Sequence, residues 1–386
     1  MSENKKWGLD NPHPFSQMKT ELIWEGKYDE YGNRRMVDIA GCAMPLQKIE
    51  TIDEPASRAM VQGSLFDPNT AHRDDFRNRL IWGDNKLVMA SLLKEFKGKI
   101  DLIYIDPPFD VGADFTMAVS VGDGKETVGK DQSALEMVAY RDMWGKGTDS
   151  YLYMLFERLT LMRELLVDTG ILLLHVGWFV SHFVKSVLDE VFGINNFINQ
   201  IIWKRQTAHS DIGQGSRHLG RIHDVVFLYT KSDKFTWNMQ FEQYSKEYVD
   251  NFYKHIEPKT GRRYRLSDLT APGGASKGNP HYEFLGITRY WRFSEKRMKE
   301  LYTAGRVVQT KPGTVPAQKR YLDEMPGVPL QDLWLNINTV QPQAEERQGY
   351  DTQKPEGLLE PIIKLCSNEG AVLSPISFVA AGPPVR

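Results

Sequence analysis

The apolar positions change rhythm along this chain, and each change marks a region. Up to about residue 75 the chain is polar and rich in turn residues, as in "YDEYGNRR" and "SLFDPNTAHRDD", and is expected to wrap a core formed by later segments. From Asn85 to Phe96 the spacing of Val88, Leu92 and Phe96 predicts a helix, with Asp84 or Asn85 as its cap. "IDLIYI", Ile100 to Ile105, predicts a strand buried on both faces. Leu155, Leu159, Met162 and Leu166 fall at helical spacing, and Gly170 is the expected stop. "ILLLHV" predicts a second buried strand. Val180 to Phe192 predicts an amphipathic helix ended by Gly193, and "QIIW", Gln200 to Trp203, a third strand.

Strands alternating with helices imply an α/β fold, a doubly wound and mainly parallel sheet. The alternation is lost between about 204 and 345 and returns at "QKPEGLLEPIIKL". The expected organisation is an extension (1–75), a first part of the core (76–203), an inserted domain (204–345) and the start of a further core part (346–386).

Composition narrows the class. With 386 residues, 41% apolar and 25% charged, the chain has the make-up of an ordinary soluble protein of two or three domains. No apolar run is long enough to span a bilayer, and "MSENKKWGLDNPHP" lacks the apolar core of a signal peptide, so a cytoplasmic setting is expected. Cys42 and Cys366 form no CxxC pair, and the spacing of His209, His218 and His223 fits no standard zinc site, so no metal is expected. The net charge of −2 is uninformative, but Ile201 to Arg265 holds twelve Lys and Arg against seven Asp and Glu. Trp203, Tyr229, Tyr244, Tyr253 and Tyr264 interleave with these basic residues. Lys204, Arg205, Arg217, Arg221, Arg262, Arg263 and Arg265 are the candidates for neutralising phosphates, and "GGASKGN" is either a backbone-following loop or a flexible turn.

The sharpest chemical signal is "IYIDPPF", Ile103 to Phe109. It ends a predicted buried strand, at the carboxyl edge where open α/β sheets bind ligands. Two prolines stiffen the backbone and remove two N–H donors. Asp106 and the Pro107 carbonyl can accept the two hydrogens of an exocyclic amine, Pro108 fixes the turn, and Phe109 can stack on a planar ring.

Here the sequence resembles the amino-methylating DNA methyltransferases, whose signature is (Asp/Asn)-Pro-Pro-(Tyr/Phe/Trp), and within them the modification subunits of type III restriction-modification systems. The resemblance runs through "WEGKYDEYGNRR", "LIWGDNKLVMASLL", "DLIYIDPPFDVGADF", "YRDMWGKGTDSYL", "IIWKRQTAHSDIGQG", "HLGRIHDVVFLYTKS" and "YDTQKPEGLLEPIIK". It implies methyl transfer from S-adenosylmethionine to adenine N6 in double-stranded DNA, with residues 204–345 as the target reader. It also implies a homodimer and an optional helicase/nuclease restriction subunit. Asp84 and Asn85 in "GDN" are either a helix cap or a cofactor lining. The resemblance implies cofactor contact for Thr352, Gln353, Lys354 and Pro355 in "TQKPEGLL", and leads one to expect an acid where Gly177 stands in "LHVGW". N4-cytosine methylation is the alternative within the class, since Asp-Pro-Pro-Phe suits either amine. A non-catalytic DNA-binding remnant is the alternative outside it. A generic nucleotide-binding protein lacks support, because neither a P-loop nor GxGxxG is present.

After "SNEG" the family pattern is a strand and a Gly-rich cofactor loop of the kind "ADFFCGSGTT". The chain instead reads "SPISFVAAGPPVR", with no expected strand. Reading each codon from the last base of the one before it permits "ADFFCGSGTT" at every position from Ser374 to Pro384. The tail is therefore expected to be that motif out of frame, shifted between Gly370 and Ser374 and ending at an early stop, with cofactor binding and folding impaired. Sequencing the gene checks this: a shifted frame that cannot encode the motif rules the expectation out.

Overall fold

A computed structural model describes residues 20–39, 41–47, 79–81, 83–107, 117–121, 126–130, 147–207, 217–348 and 353–377. The chain divides into two compact units, Met1–Asn238 with Asp332–Arg386, and Met239–Gln331. In the first, α1 (Asn85–Phe96) leads to β1 (Ile100–Asp106), then to a hairpin of β2 (Met117–Val121) and β3 (Glu126–Lys130). There follow α2 (Thr148–Leu165), β4 (Leu166–Gly177), α3 (Ser181–Phe192), β5 (Phe197–Lys204) and β6 (His223–Thr230). The second unit holds β7 (Phe241–Glu242), α4 (Lys246–Phe252), β8 (His255–Ile256), β9 (Arg263–Asp268), β10 (His281–Phe284), β11 (Ile287–Tyr290), α5 (Glu295–Thr303), β12 (Val307–Val308), β13 (Ala317–Tyr321) and β14 (Val328–Pro329). The first unit resumes with β15 (Leu333–Trp334), α6 (Glu356–Cys366) and β16 (Leu373–Ser377). Among the described residues no helix is long and apolar enough to cross a membrane.

The main sheet has the order β15-β5-β6-β4-β1-β16. Its strands run one way except β6, which is antiparallel to both β4 and β5. The expected mainly parallel α/β sheet is thus present. Alternation along the strands separates two faces. Ile103, Ile105, Leu172, Leu174, Val225 and Phe227 pack with Met89 of α1, Leu155 and Leu159 of α2, and Val184 and Leu188 of α3. The intervening positions place Tyr104, His175, Trp203 and Asp224 on the other face. There the Trp203 indole donates to the Ile337 carbonyl at 2.9 Å.

Local chemistry sets the element ends. Asp84 caps α1 by accepting from the Lys86 and Leu87 amides, at 2.8 and 3.2 Å. Gly193 ends α3 with a φ of +94°, a conformation glycine tolerates without strain. Three expectations are corrected. Gly170 does not stop α2: the helix ends at Leu165, and Leu166 already belongs to β4. Gly170 is small because a Cβ there would stand 2.9 Å from the Val167 carbonyl oxygen and 3.2 Å from that of Ile100. The tail does begin with a strand: β16 runs parallel to β1, with Asp106 beside Ser377. The edge of β1 offers unpaired backbone groups, Asp101 accepts the Val372 amide at 2.8 Å, and Pro375 is tolerated because the strand is an outer one. Finally, the second unit is shorter than 204–345, because β6 and β15 join the main sheet.

The N-terminal extension reaches the core through Trp24, which is buried in the same cluster, 5.7 Å from the Phe156 ring. The Lys27 ammonium lies over the indole and donates to the Leu22 carbonyl at 2.7 Å and Glu190 at 2.8 Å. Trp24→Ala should cost about 3–5 kcal/mol of stability in a urea titration. A loss below about 1 kcal/mol would show that the extension does not contribute to the core.

Candidate active site

β1 delivers Asp106 at its last position, between β4 and β16. Its Oδ2 accepts a charge-assisted hydrogen bond from Lys354 Nζ at 2.6 Å. Lys354 lies two residues before α6, and Pro355, in extended conformation, is the cap residue of that helix. The approach to α6 is fixed by its own polar groups. Gln353 donates to the Glu346 carbonyl at 2.6 Å and accepts the Gln348 amide at 2.8 Å. The Glu346 carboxylate takes the first helical amide, Glu356, at 2.7 Å. Pro107 is buried directly after Asp106. Pro108, Phe109 and Thr352 lie outside the described residues.

Beneath Asp106 is a polar chain that sequence reasoning did not find. The Tyr104 hydroxyl stands 2.9 Å from His175 Nδ1, and His175 Nε2 stands 3.4 Å from Asp224 Oδ2. His175 Nδ1 is 3.8 Å from Asp106 Oδ1. The His175 side chain is fully buried, and that of Asp224 is 3% exposed. Burial, then the charges of Asp106 and Asp224, hold the Tyr104 phenol well above its ordinary range, so it is a hydroxyl donor. The edge of the Trp203 ring closes one side, with centroids 5.6 Å apart. Arg205 Nε pairs with Asp224 Oδ1 at 3.3 Å. The visible signals were a histidine inside "ILLLHV" and an acid inside the apolar strand "HDVVFLY". Gly177, the position where an acid was expected, lies directly opposite Asp224 in the β4–β6 register.

Asp84 and Asn85 are brought together around Arg158 of α2, whose side chain is 4% exposed. Its Nε donates to Asn85 Oδ1 and its Nη2 to Asp84 Oδ2 at 3.3 Å. Burial lowers the Arg158 proton affinity, and the Asp84 charge opposes that effect. "GDN" is therefore a helix cap and also a turn tied to a buried guanidinium.

The basic candidates fall in both units. In the first unit Lys204 ends β5, Arg205 meets Asp224, and Arg221 lies 4.1 Å over the Trp178 ring, with Arg217 in the segment before β6. In the second unit Arg262 is bonded to Asp323 and Glu324, Arg263 to Asp250 at 3.2 Å, and Arg265 to the Tyr248 hydroxyl at 3.1 Å. Arg306 also grips Glu324.

Comparison with known proteins finds relatives of the sequence. The profile of the N6/N4 DNA methylase family matches residues 100–373. The type II methyltransferase M.EcaI of Enterobacter cloacae is 28% identical over 300 residues, 76% of this chain and 60% of that protein. The StyLTI Mod subunit, from a type III restriction-modification enzyme of Salmonella typhimurium, is 27% identical over 320 residues, 78% of this chain and 48% of that protein. The chain thus spans about half to three-fifths of the length of these relatives. Among solved structures, the M1.HpyAVI–SAM complex is 12% identical over 76% of this chain and 79% of that one, with a TM-score of 0.34.

The ion pairs of the second unit carry a pH signature. Arg306, then Arg262, draw the Glu324 carboxyl down to about 2 from its ordinary 4.5. Hydrogen bonds from Tyr321, Thr260 and Lys319 draw Glu257 down to about 2. Carboxyls depressed in the folded state contribute stability that is complete above 4.5 and lost as pH falls toward about 2. Replacing both by Gln should flatten the fall in melting temperature across that window. An unchanged fall would show that these pairs do not govern acid stability.

Proposed function

The chain belongs to the N6/N4 DNA methylase family, and from that premise we propose that it is a site-specific DNA methyltransferase of a restriction-modification system. It transfers a methyl group from S-adenosylmethionine to adenine N6 in duplex DNA. The observation that carries this reading is the Asp106 carboxylate, presented at the carboxyl end of a strand paired on both sides, gripped by Lys354 on one oxygen and followed by a buried proline.

The target amine is inaccessible inside a duplex, so the base is flipped out at a cost of roughly a few kcal/mol. Asp106 and the Pro107 carbonyl accept its two amino hydrogens, and Phe109 stacks on its ring. This fixes the nitrogen and raises its electron density. Lys354 holds Oδ2, which orients the carboxylate and leaves Oδ1 for the substrate. Most of the acceleration is positioning. Of the groups present, the Lys354 ammonium at the sheet edge suits the carboxylate of the zwitterionic cofactor. S-Adenosylmethionine, when bound, supplies an electrophilic sulfonium methyl group. Lys354 and Pro355 would lie on its side of Asp106, while Gln353 shapes the loop that carries them.

We assign DNA reading to the second unit together with the basic segment before β6, on its basic and aromatic composition. Likeness to Mod subunits supports a homodimer and a helicase/nuclease restriction subunit as partners.

The test is incubation of the purified chain with tritiated S-adenosylmethionine and plasmid DNA from a methylation-deficient host, followed by chromatography of the nucleosides. N6-methyladenine is the expected product, and Asp106→Ala should lower its yield by about 10²-fold or more. N4-methylcytosine would reassign the base. DNA binding without any methyl transfer would identify a non-catalytic binding protein.

A further inference from the structure

The chain Tyr104–His175–Asp224 is buried, and nothing in the fold requires it to be polar. An apolar triple of similar volume would fill this face of the sheet, where Val226 and Leu228 already lie on β6 beside Asp224. Its geometry is directional. Each nitrogen of the His175 ring faces a carboxylate, Asp106 Oδ1 at 3.8 Å on one side and Asp224 Oδ2 at 3.4 Å on the other. Asp106 is the outer member, with its side chain 25% exposed, and Asp224 the inner one, at 3%. The line crosses the sheet from β1 through β4 to β6.

We propose that His175 is the positioning and proton-receiving residue of this site, acting through Asp106, with Asp224 fixing its tautomer. The inference rests on the methyl-transfer reading given above. For each methyl group it gains, the amino nitrogen must shed one proton. Asp106 Oδ1, already bonded to that amine, is the first acceptor. Lys354 holds the other oxygen of the same carboxylate. The proton passes to His175 Nδ1, which requires the two atoms to close by about 1 Å. The Asp224 charge stabilises the resulting imidazolium, and the proton returns to solvent through Asp106 once the product leaves. No electrons are exchanged and no further reagent is needed.

The wiring fits both protonation states. With a hydrogen on Nε2 directed to the Asp224 carboxylate, Nδ1 presents a lone pair, which accepts from the Tyr104 hydroxyl. When Nδ1 gains the proton, rotation about one C–O bond turns Tyr104 from donor to acceptor. Among the described residues, the groups facing the ring include Tyr104 and Asp106 from β1, Asp224 from β6 and Trp203 from β5. Arg205 stands behind Asp224, and Lys354 lies across Asp106.

The experiment pairs kinetics with spectroscopy. Single-turnover methyl transfer to the same plasmid DNA is followed against pH for the wild type, His175→Gln and Asp224→Asn. Long-range ¹H–¹⁵N spectra of the histidine rings, with His175 assigned by its loss in the Gln variant, report the tautomer. The wild-type rate should fall on the acid side, as for any reaction in which a base must be free to receive the proton. His175→Gln should be slower by about 10²-fold and lack that acid limb. Asp224→Asn, nearly isosteric and expected to fold, should be slower by about 10-fold or more and lose the Nε2–H preference. An active wild type whose rate and pH profile survive in both variants overturns the proposal. So does a wild-type His175 carrying its hydrogen on Nδ1. A wild type that transfers no methyl group yet shows the Nε2–H tautomer supports the wiring and counts against the assigned reaction instead.

Discussion

The site depends on one constraint: a carboxylate at the end of a buried strand must keep its charge and its direction. β1 runs through Leu102, Ile103, Tyr104 and Ile105 to Asp106, and its neighbours β4 and β16 leave that last residue only partly open to water. A carboxylate in such a place needs a partner, and Lys354 supplies it from a segment 248 residues away in sequence. At an effective dielectric of 20, unit charges 4 Å apart attract by about 4 kcal/mol. The start of α6 must therefore come over the end of β1. The Gln353 and Glu346 bonds that shape the approach to α6 serve the same placement.

The two faces of the sheet divide the work. One is apolar and anchors α1, α2, α3 and Trp24 of the extension. The other carries Tyr104, His175, Trp203 and Asp224, at the positions between the apolar ones. A slip of one residue in the β4–β6 register would exchange these sets and bury Asp224 among leucines. The apolar face thus fixes the register that brings Asp224 to His175. Core packing and site geometry are the same restraint seen from two sides.

Regular periodicity and strong end signals were legible. α1 begins at its Asp84 cap, α3 stops at Gly193, and β1 terminates in the acid that the motif singled out. What failed to show in the chain were features set by distant neighbours. Gly170 resembles a helix stop, but its smallness answers carbonyl oxygens of Val167 and Ile100. Ser374 to Ser377 have weak strand character, and a free edge on β1 recruits them. Arg262, Arg263 and Arg265 stand together in sequence as a basic cluster. The Arg262 guanidinium is held by Asp323 and Glu324, whereas those of Arg263 and Arg265 both meet α4, at Asp250 and Tyr248. His175 and Asp224 each look misplaced in an apolar strand until the antiparallel pairing sets them on one face.

Gly177 bears on why that buried network exists. It lies directly opposite Asp224 in the β4–β6 ladder, where side chains on one face stand about 4.5–5.5 Å apart. A second acid at that position would face the first across a dry interior, and like charges there repel. Within the paired register, Ile171–Gly177 against Asp224–Thr230, the one carboxylate is Asp224, and it stands against His175. Buried polar chains gain strength when every member is satisfied and cost more than an apolar core when one is missing. Losing Asp224 would leave a fully buried imidazole without its acceptor and Arg205 without its counter-charge. An apolar replacement of the whole set would avoid that liability. Its retention next to Asp106 is accounted for if the network serves the carboxylate it touches.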